Sequence, residues 1–381
     1  PEVRASAAKA LGDLEDPRAV AALIAALRGD RDPQVRETAA WALGQIEDRR
    51  AVPALVEAMQ SDRVVAVRRT ATWALGQIED PAAVDGLARA MRDADPEVRH
   101  TAVWALGQIE DRRAVPALTA ALRDDDPRTR KQAAWALGQI EDASAVPALG
   151  AALRDADGDV RSTAVWALGQ IESADAVPAL VGLLRDPNPG VRKQAAWALG
   201  QIESPQATPG LSAALRDEST EVRETAAWAL GQIEDRGAVN ALAGALRDRA
   251  PGVRAKAAWA LGQIEVTPAP PALLEALRDE NVDVRRTAAW ALGQIEDPGA
   301  VSALRAALRD PDPHVKQGAL RALGAIGDVA AAEAIADMLR DEDPQVRQAA
   351  AAALGGRGSW VDPRPQPQPR PQPQPRPRPR P

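Results

Sequence analysis

Few residues in this chain could do chemistry, and their spacing argues against most reactions. His100 and His314 are the only histidines and lie far apart. Neither sits in the His-Glu pairs of a di-iron site, and no H-E-x-x-H occurs, so both are read as surface histidines. With no cysteine there are no thiolate metal sites, disulfides or Cys nucleophiles. Asp155-Ala156-Asp157-Gly158-Asp159 starts like a calcium loop, but its glycine comes too early and Trp166 stands where a bidentate glutamate belongs. A helix-capping turn is expected there. No catalytic residue, metal or cofactor is therefore assigned. What does recur is indole beside amide: Trp41, Trp73, Trp104, Trp135, Trp166, Trp197, Trp228, Trp259 and Trp290 each open the block WALGQIE. The chain has ten Trp but no Tyr or Phe. Flat apolar rings beside hydrogen-bonding amides suit recognition of a peptide better than catalysis.

The elements that must carry this ladder follow from its period. The first Trp-to-Trp step is 32 residues and the next seven are 31 each. Degenerate copies around Leu11, Leu323 and Leu354 extend the array to eleven full units and a terminal half unit. A strict period of this length marks one stacked array rather than separate globular domains. Within the unit Asp95–Asp124, Asp95 and Pro96 open a helix, and Val98, Ala102, Ala105, Leu106 and Ile109 fall on one face. A second helix follows with Val115, Leu118 and Leu122 as its stripe, and Pro116 sits near its start, where a missing N–H costs little. Nothing alternates with period two. The fold class is all-α: an α-solenoid (superhelix) of stacked helix hairpins, about 31 residues per repeat.

The pattern D-P-x-V-R-x-x-A-A-x-A-L-G-x-I, a turn, then A-V-P-A-L-x-x-A-L-R-D resembles the HEAT-like repeat of the phycobilisome-lyase type, over roughly residues 1–355. The resemblance implies a solenoid with a concave binding face. It also implies relatives of several kinds: bilin lyase subunits, the di-iron deoxyhypusine hydroxylase, alkyl-base DNA glycosylases and protein-binding scaffolds. The Trp-bearing copies are similar to repeats attached to bacterial M56-type membrane peptidases. The function expected is a non-catalytic protein- or peptide-binding scaffold. The alternatives are the accessory region of such a metallopeptidase sensor and a bilin-lyase-like subunit.

Charge narrows the partners. Lys plus Arg is 47 and Asp plus Glu is 54, a net charge of −7, so no nucleic acid is expected. No stretch approaches the roughly 18 apolar residues of a membrane span. The domains are the repeat array at 1–358 and a Pro/Arg/Gln-rich tail at 359–381. Residues 363–381 hold ten Pro, five Arg and four Gln, so they carry +5 and residues 1–362 carry −12. Such a tail is expected to be an extended polyproline-II rod, with Arg364, Arg370 and Arg376 on one side. The start, Pro1-Glu2-Val3-Arg4, lacks the capping Asp of the other copies and reads as a fragment of a longer protein.

On a helical wheel Trp104 projects about 150° from the apolar face, among Glu97, Thr101 and Gln108. The expectation is a solvent-facing concave ladder, with Gln108, Gln139, Gln170 and Gln201 beside the rings and slots between them for a protein or peptide partner. A Pro/Arg-rich segment such as the tail fits these slots in spacing and charge. Arg99 and its equivalents are expected to clamp Asp residues in the turns rather than bind phosphate.

Overall fold

A computed structural model describes residues 1–328 and 331–355. Among these residues every regular element is helical. The described residues form two compact blocks, one from Pro1 to Ala176 and one from Val177 to Gly355. Each is a stack of hairpins, and each hairpin is built as the local chemistry dictates. In the fourth repeat the Asp95 side chain accepts from the amides of Glu97 and Val98, Pro96 occupies the first turn, and the helix runs Pro96–Ile109. Asp111 then accepts from the Arg113 amide and closes a single tight turn, Arg112–Ala114, before the second helix, Val115–Ala121. These caps satisfy amides that would otherwise lack partners.

The expected apolar stripes are buried. Val98, Ala102, Ala105 and Leu106 lie fully inside, and so does Leu118 of the second helix. Ile109 is only half-buried. Within a block, the first helices of neighbouring repeats pack along their length, while the second helices touch only glancingly. The close side depends on glycine. A Cβ on Gly107 would stand 2.6 Å from Cζ3 of Trp135 and 3.1 Å from the Ala136 Cα. Only a residue without a side chain lets two helix backbones come this near. Gly44, Gly76 and Gly138 in the first block, and Gly200, Gly231 and Gly262 in the second, receive the next repeat's indole in the same way.

The other side of each hairpin is tied by charge. Arg130 donates through Nε and Nη2 to both Asp155 oxygens, at 2.7 and 2.8 Å, and through Nη1 to the Asp124 carbonyl at 2.9 Å. Asp155 also accepts from the Asp157 amide at 2.9 Å. The same clamp joins Arg36 to Asp62 and Arg68 to Asp93, and in the second block Arg192 to Asp217, Arg223 to Asp248 and Arg254 to Asp279. The expected Arg–Asp clamp is thus observed.

Arg130 holds the Asp155 carboxyl below its ordinary value against the opposing effect of burial. At Asp217, Asp248 and Asp279 burial pushes upward, but the guanidinium and a turn amide outweigh it and these carboxyls also end low. A depressed folded value stabilises the fold above the unfolded carboxylate pKa, and that contribution disappears as pH falls through the folded values. The urea midpoint should therefore hold level from pH 7 to about 5 and drop below about 4. A midpoint that stays level to about pH 2 would show that these pairs contribute nothing.

Candidate functional site

The strip around the Trp ladder runs along the first helices, where sequence periodicity places it. In the fourth repeat it carries Glu97, His100, Thr101, Trp104 and Gln108. Its exposure differs from the expectation. Trp104 is 2% exposed, and Trp73, Trp135, Trp197, Trp228, Trp259 and Trp290 are all buried, none above 9%. Trp41 and Trp166 are half-buried. The expected solvent-facing ladder is corrected: within each block the rings pack against the preceding first helix, which its glycine admits closely, so no slots remain between those rings. The rings form the floor of the strip. Lys9, standing where the first repeat would have its Trp, lies over the Trp41 ring at 4.9 Å. Native tryptophan emission should accordingly lie blue of exposed indole and resist iodide. A red, fully quenched native spectrum would contradict this packing.

Gln108, Gln139, Gln170 and Gln201 are half-buried along the strip. Around them the side chains change from repeat to repeat on an unchanging frame. Glu97 and His100 of the fourth repeat become Arg128 and Lys131 in the fifth, then Asp159 and Ser162 in the sixth. Neighbouring repeats are cross-linked by Arg128 to Glu97 at 2.8 Å and Lys131 to Asp159 at 2.9 Å. Burial, reinforced by the Arg128 charge, pushes His100 below its ordinary value, and its Nδ1 has no partner. Gln132 Nε2, Trp135 Nε1 and Trp166 Nε1 are likewise buried donors with no acceptor. His314 is exposed.

The Asp155–Asp159 segment is a capping turn, as expected. Asp157 accepts from the amides of Asp159 and Val160, and Asp155 is held by Arg130. Among the described residues no group of acidic or imidazole side chains could hold a metal ion. Nor is any described helix long and apolar enough to cross a membrane.

One feature escaped the sequence reading. The glutamate ending each WALGQIE block adopts the left-handed conformation, as at Glu47 (φ 55°), Glu79 (φ 54°), Glu110 (φ 54°) and Glu141 (φ 53°). Such a conformation costs a non-glycine residue on the order of 1 kcal/mol. Gly327 occupies the equivalent position in the eleventh repeat at φ 67°. All ten glutamates are exposed. They form one row in each block, Glu15 to Glu172 and Glu203 to Glu296. Burial, together with the charges of Glu79 and Glu141, pushes the Glu110 carboxyl up. The signal was a Glu-Asp pair at a helix end, where Gly or Asn is usual. Arg364, Arg370 and Arg376 lie outside the described residues, as does the tail from residue 359.

The family model described as "HEAT repeats" matches residues 1–75, 21–95, 85–160, 146–219, 208–283 and 270–355. No curated protein matches the sequence. Among solved structures, importin beta is similar at 15% identity with a TM-score of 0.62, covering 90% of this chain and 58% of that one. Kap95p, whose binding induces the switch loops of RanGDP to adopt the GTP-bound conformation, is similar at 18% identity with a TM-score of 0.60, covering 89% of this chain and 57% of that one. The chain thus spans somewhat over half the length of these two neighbours, and at such identities the likeness concerns the fold.

Proposed function

The chain belongs to the HEAT repeats family, and from that premise we propose that it is a non-catalytic scaffold binding protein or peptide segments along its first-helix strip. The observation that carries this reading is a first-helix strip whose side chains vary on an unchanging frame. Trp104, Leu106 and Gly107 recur almost unchanged, while Glu97/His100, Arg128/Lys131 and Asp159/Ser162 differ at equivalent positions. A frame selected only to stack would have no use for such a patterned edge. The unpartnered donors of Gln132, Trp135 and Trp166 support the same reading, since buried polar groups without partners are costly. The analogy to protein binding comes from Kap95p, a fold neighbour whose binding acts on the switch loops of RanGDP.

The finer proposal is a cationic, Pro-rich partner segment resembling residues 363–381, lying along the glutamate row rather than on the indole faces. Its support is charge: exposed, like-charged carboxylates held in a costly backbone conformation on a body of −12. The reading of the chain as part of an M56-type sensor or a lyase subunit rests on resemblance alone. The test is titration of a labelled 363–381 peptide into the full chain. Saturable binding that weakens with salt, and weakens further in the triple variant Glu79→Gly, Glu110→Gly, Glu141→Gly, is expected. That variant should also be no less stable, because glycine adopts the left-handed cap without strain. Binding indifferent to salt and to the variant would reject the finer reading. In a pull-down with the full chain as bait, retention of every partner by an Arg128→Ala, Lys131→Ala, Gln139→Ala variant would reject the strip itself.

A further inference from the structure

Because the first helices crowd together while the second helices only graze each other, furrows open between successive second helices. One of about 260 Å³ lies between Val20–Gly29 and Val52–Ser61, and one of about 400 Å³ between Pro271–Ala276 and Val301–Ala307. A third, of about 580 Å³, lies between Thr208–Ala214 and Val239–Ala245. It differs from a mere seam in two respects. Gly244, in its wall, stands in a helix where glycine is unfavourable, and a Cβ there would meet nothing within 4 Å. The Ser212 Oγ, also in the lining, is buried and has no hydrogen-bond partner. The lining carboxylates are already engaged, Asp217 by Arg192 and the Ser219 amide, Asp248 by Arg223 and the Ala250 amide.

The charge left over is positive. Arg216 and Arg247 stand exposed at the rim. Arg247 is engaged only by Glu275 at 3.1 Å, with both side chains mostly in solvent. Such a pair contributes little and exchanges readily for another carboxylate. We propose that this furrow is a docking site for an acidic peptide segment bearing an aliphatic side chain. The aliphatic group lies on the floor of Leu215, Ala241 and Ala245 beside Gly244, and carboxylates meet Arg216 and Arg247. The site is independent of the first-helix strip and calls for the opposite charge in its partner.

The chain has no cysteine, so Ala213→Cys gives one labelling position on an exposed residue next to Ser212. The full chain carrying an environment-sensitive dye there is titrated with a short peptide of alternating glutamate and leucine, and separately with its arginine–leucine counterpart. The acidic peptide should give a saturable response that weakens with salt, and the basic one should not. Gly244→Leu fills the furrow in open space and should raise Kd at least about tenfold while the thermal midpoint holds or rises. Arg216→Ala with Arg247→Ala should weaken binding to a similar extent and remove most of the salt dependence. The proposal is overturned by no response at millimolar acidic peptide, by equal binding of the basic peptide, or by unchanged affinity in a folded Gly244→Leu protein.

Discussion

Replacing Leu168 with Ala should cost about 2–5 kcal/mol, and the same change at Leu354 less than about 1 kcal/mol. Both leucines hold the same place in the repeat, but Leu168 is 0% exposed, whereas Leu354 is 45% exposed in the terminal half unit. The lost methyl groups leave a cavity at Leu168, because its side chain is fully enclosed by packed neighbours that cannot collapse. At Leu354 water fills the space. In a one-dimensional stack the damage stays with nearest neighbours. Urea denaturation of both variants, with amide exchange to locate the loss, checks the expectation. Equal midpoint shifts would contradict nearest-neighbour stacking.

The second large effect is one of sign. In an exposed helix interior, Gly→Ala ordinarily stabilises by roughly 1 kcal/mol. Gly244→Ala should follow that rule, since nothing stands near its added methyl. Gly107→Ala should reverse it and destabilise by about 1–3 kcal/mol. Its Cβ would meet the Trp135 ring at 2.6 Å and the Ala136 Cβ at 2.8 Å, so two first helices must part. Adding Trp135→Leu to Gly107→Ala should recover part of the loss by removing the ring. Thermal midpoints of the single and double variants decide the matter: a stabilised Gly107→Ala protein would mean the helices are not held by this contact.

These two glycines also show what could be read from sequence and what could not. Caps, helix ends and apolar stripes are local, so Asp95, Pro96, Val98 and Leu106 announced them through type and spacing. The direction of Trp104 was legible from the helical wheel for the same reason. Its burial was not, because exposure depends on how near the next first helix comes, and that distance is set by a residue in another repeat. The available clue was a glycine kept three residues after each Trp in the middle of a helix, an unfavourable choice unless space is needed. The left-handed glutamates were hidden differently: glutamate is an uncommon residue for that conformation, and glycine at the equivalent position in a degenerate copy, as at Gly327, was the hint at the backbone it shares with Glu110. The patterned strip was visible in its residues, and the covalent sequence shows where Arg128 and Lys131 replace Glu97 and His100. Which donors there would lack acceptors required coordinates.

The Gly–Trp contact and the Arg–Asp clamp recur at one period, and this makes the array editable by whole repeats. Excising residues 105–135 would join Trp104 to Ala136, so that Arg99 inherits Asp155 and Gly76 still receives an indole. Every packed surface would meet a partner of its own kind, while the strip would lose one position and bring all later ones forward. Length and frame are thus indifferent to such a change, whereas the order of side chains along the strip is not. In a lineage that grew by duplication, copying a repeat would lengthen the body with little structural disruption, and point substitutions at the equivalents of Glu97 and His100 would then give the new copy its own character.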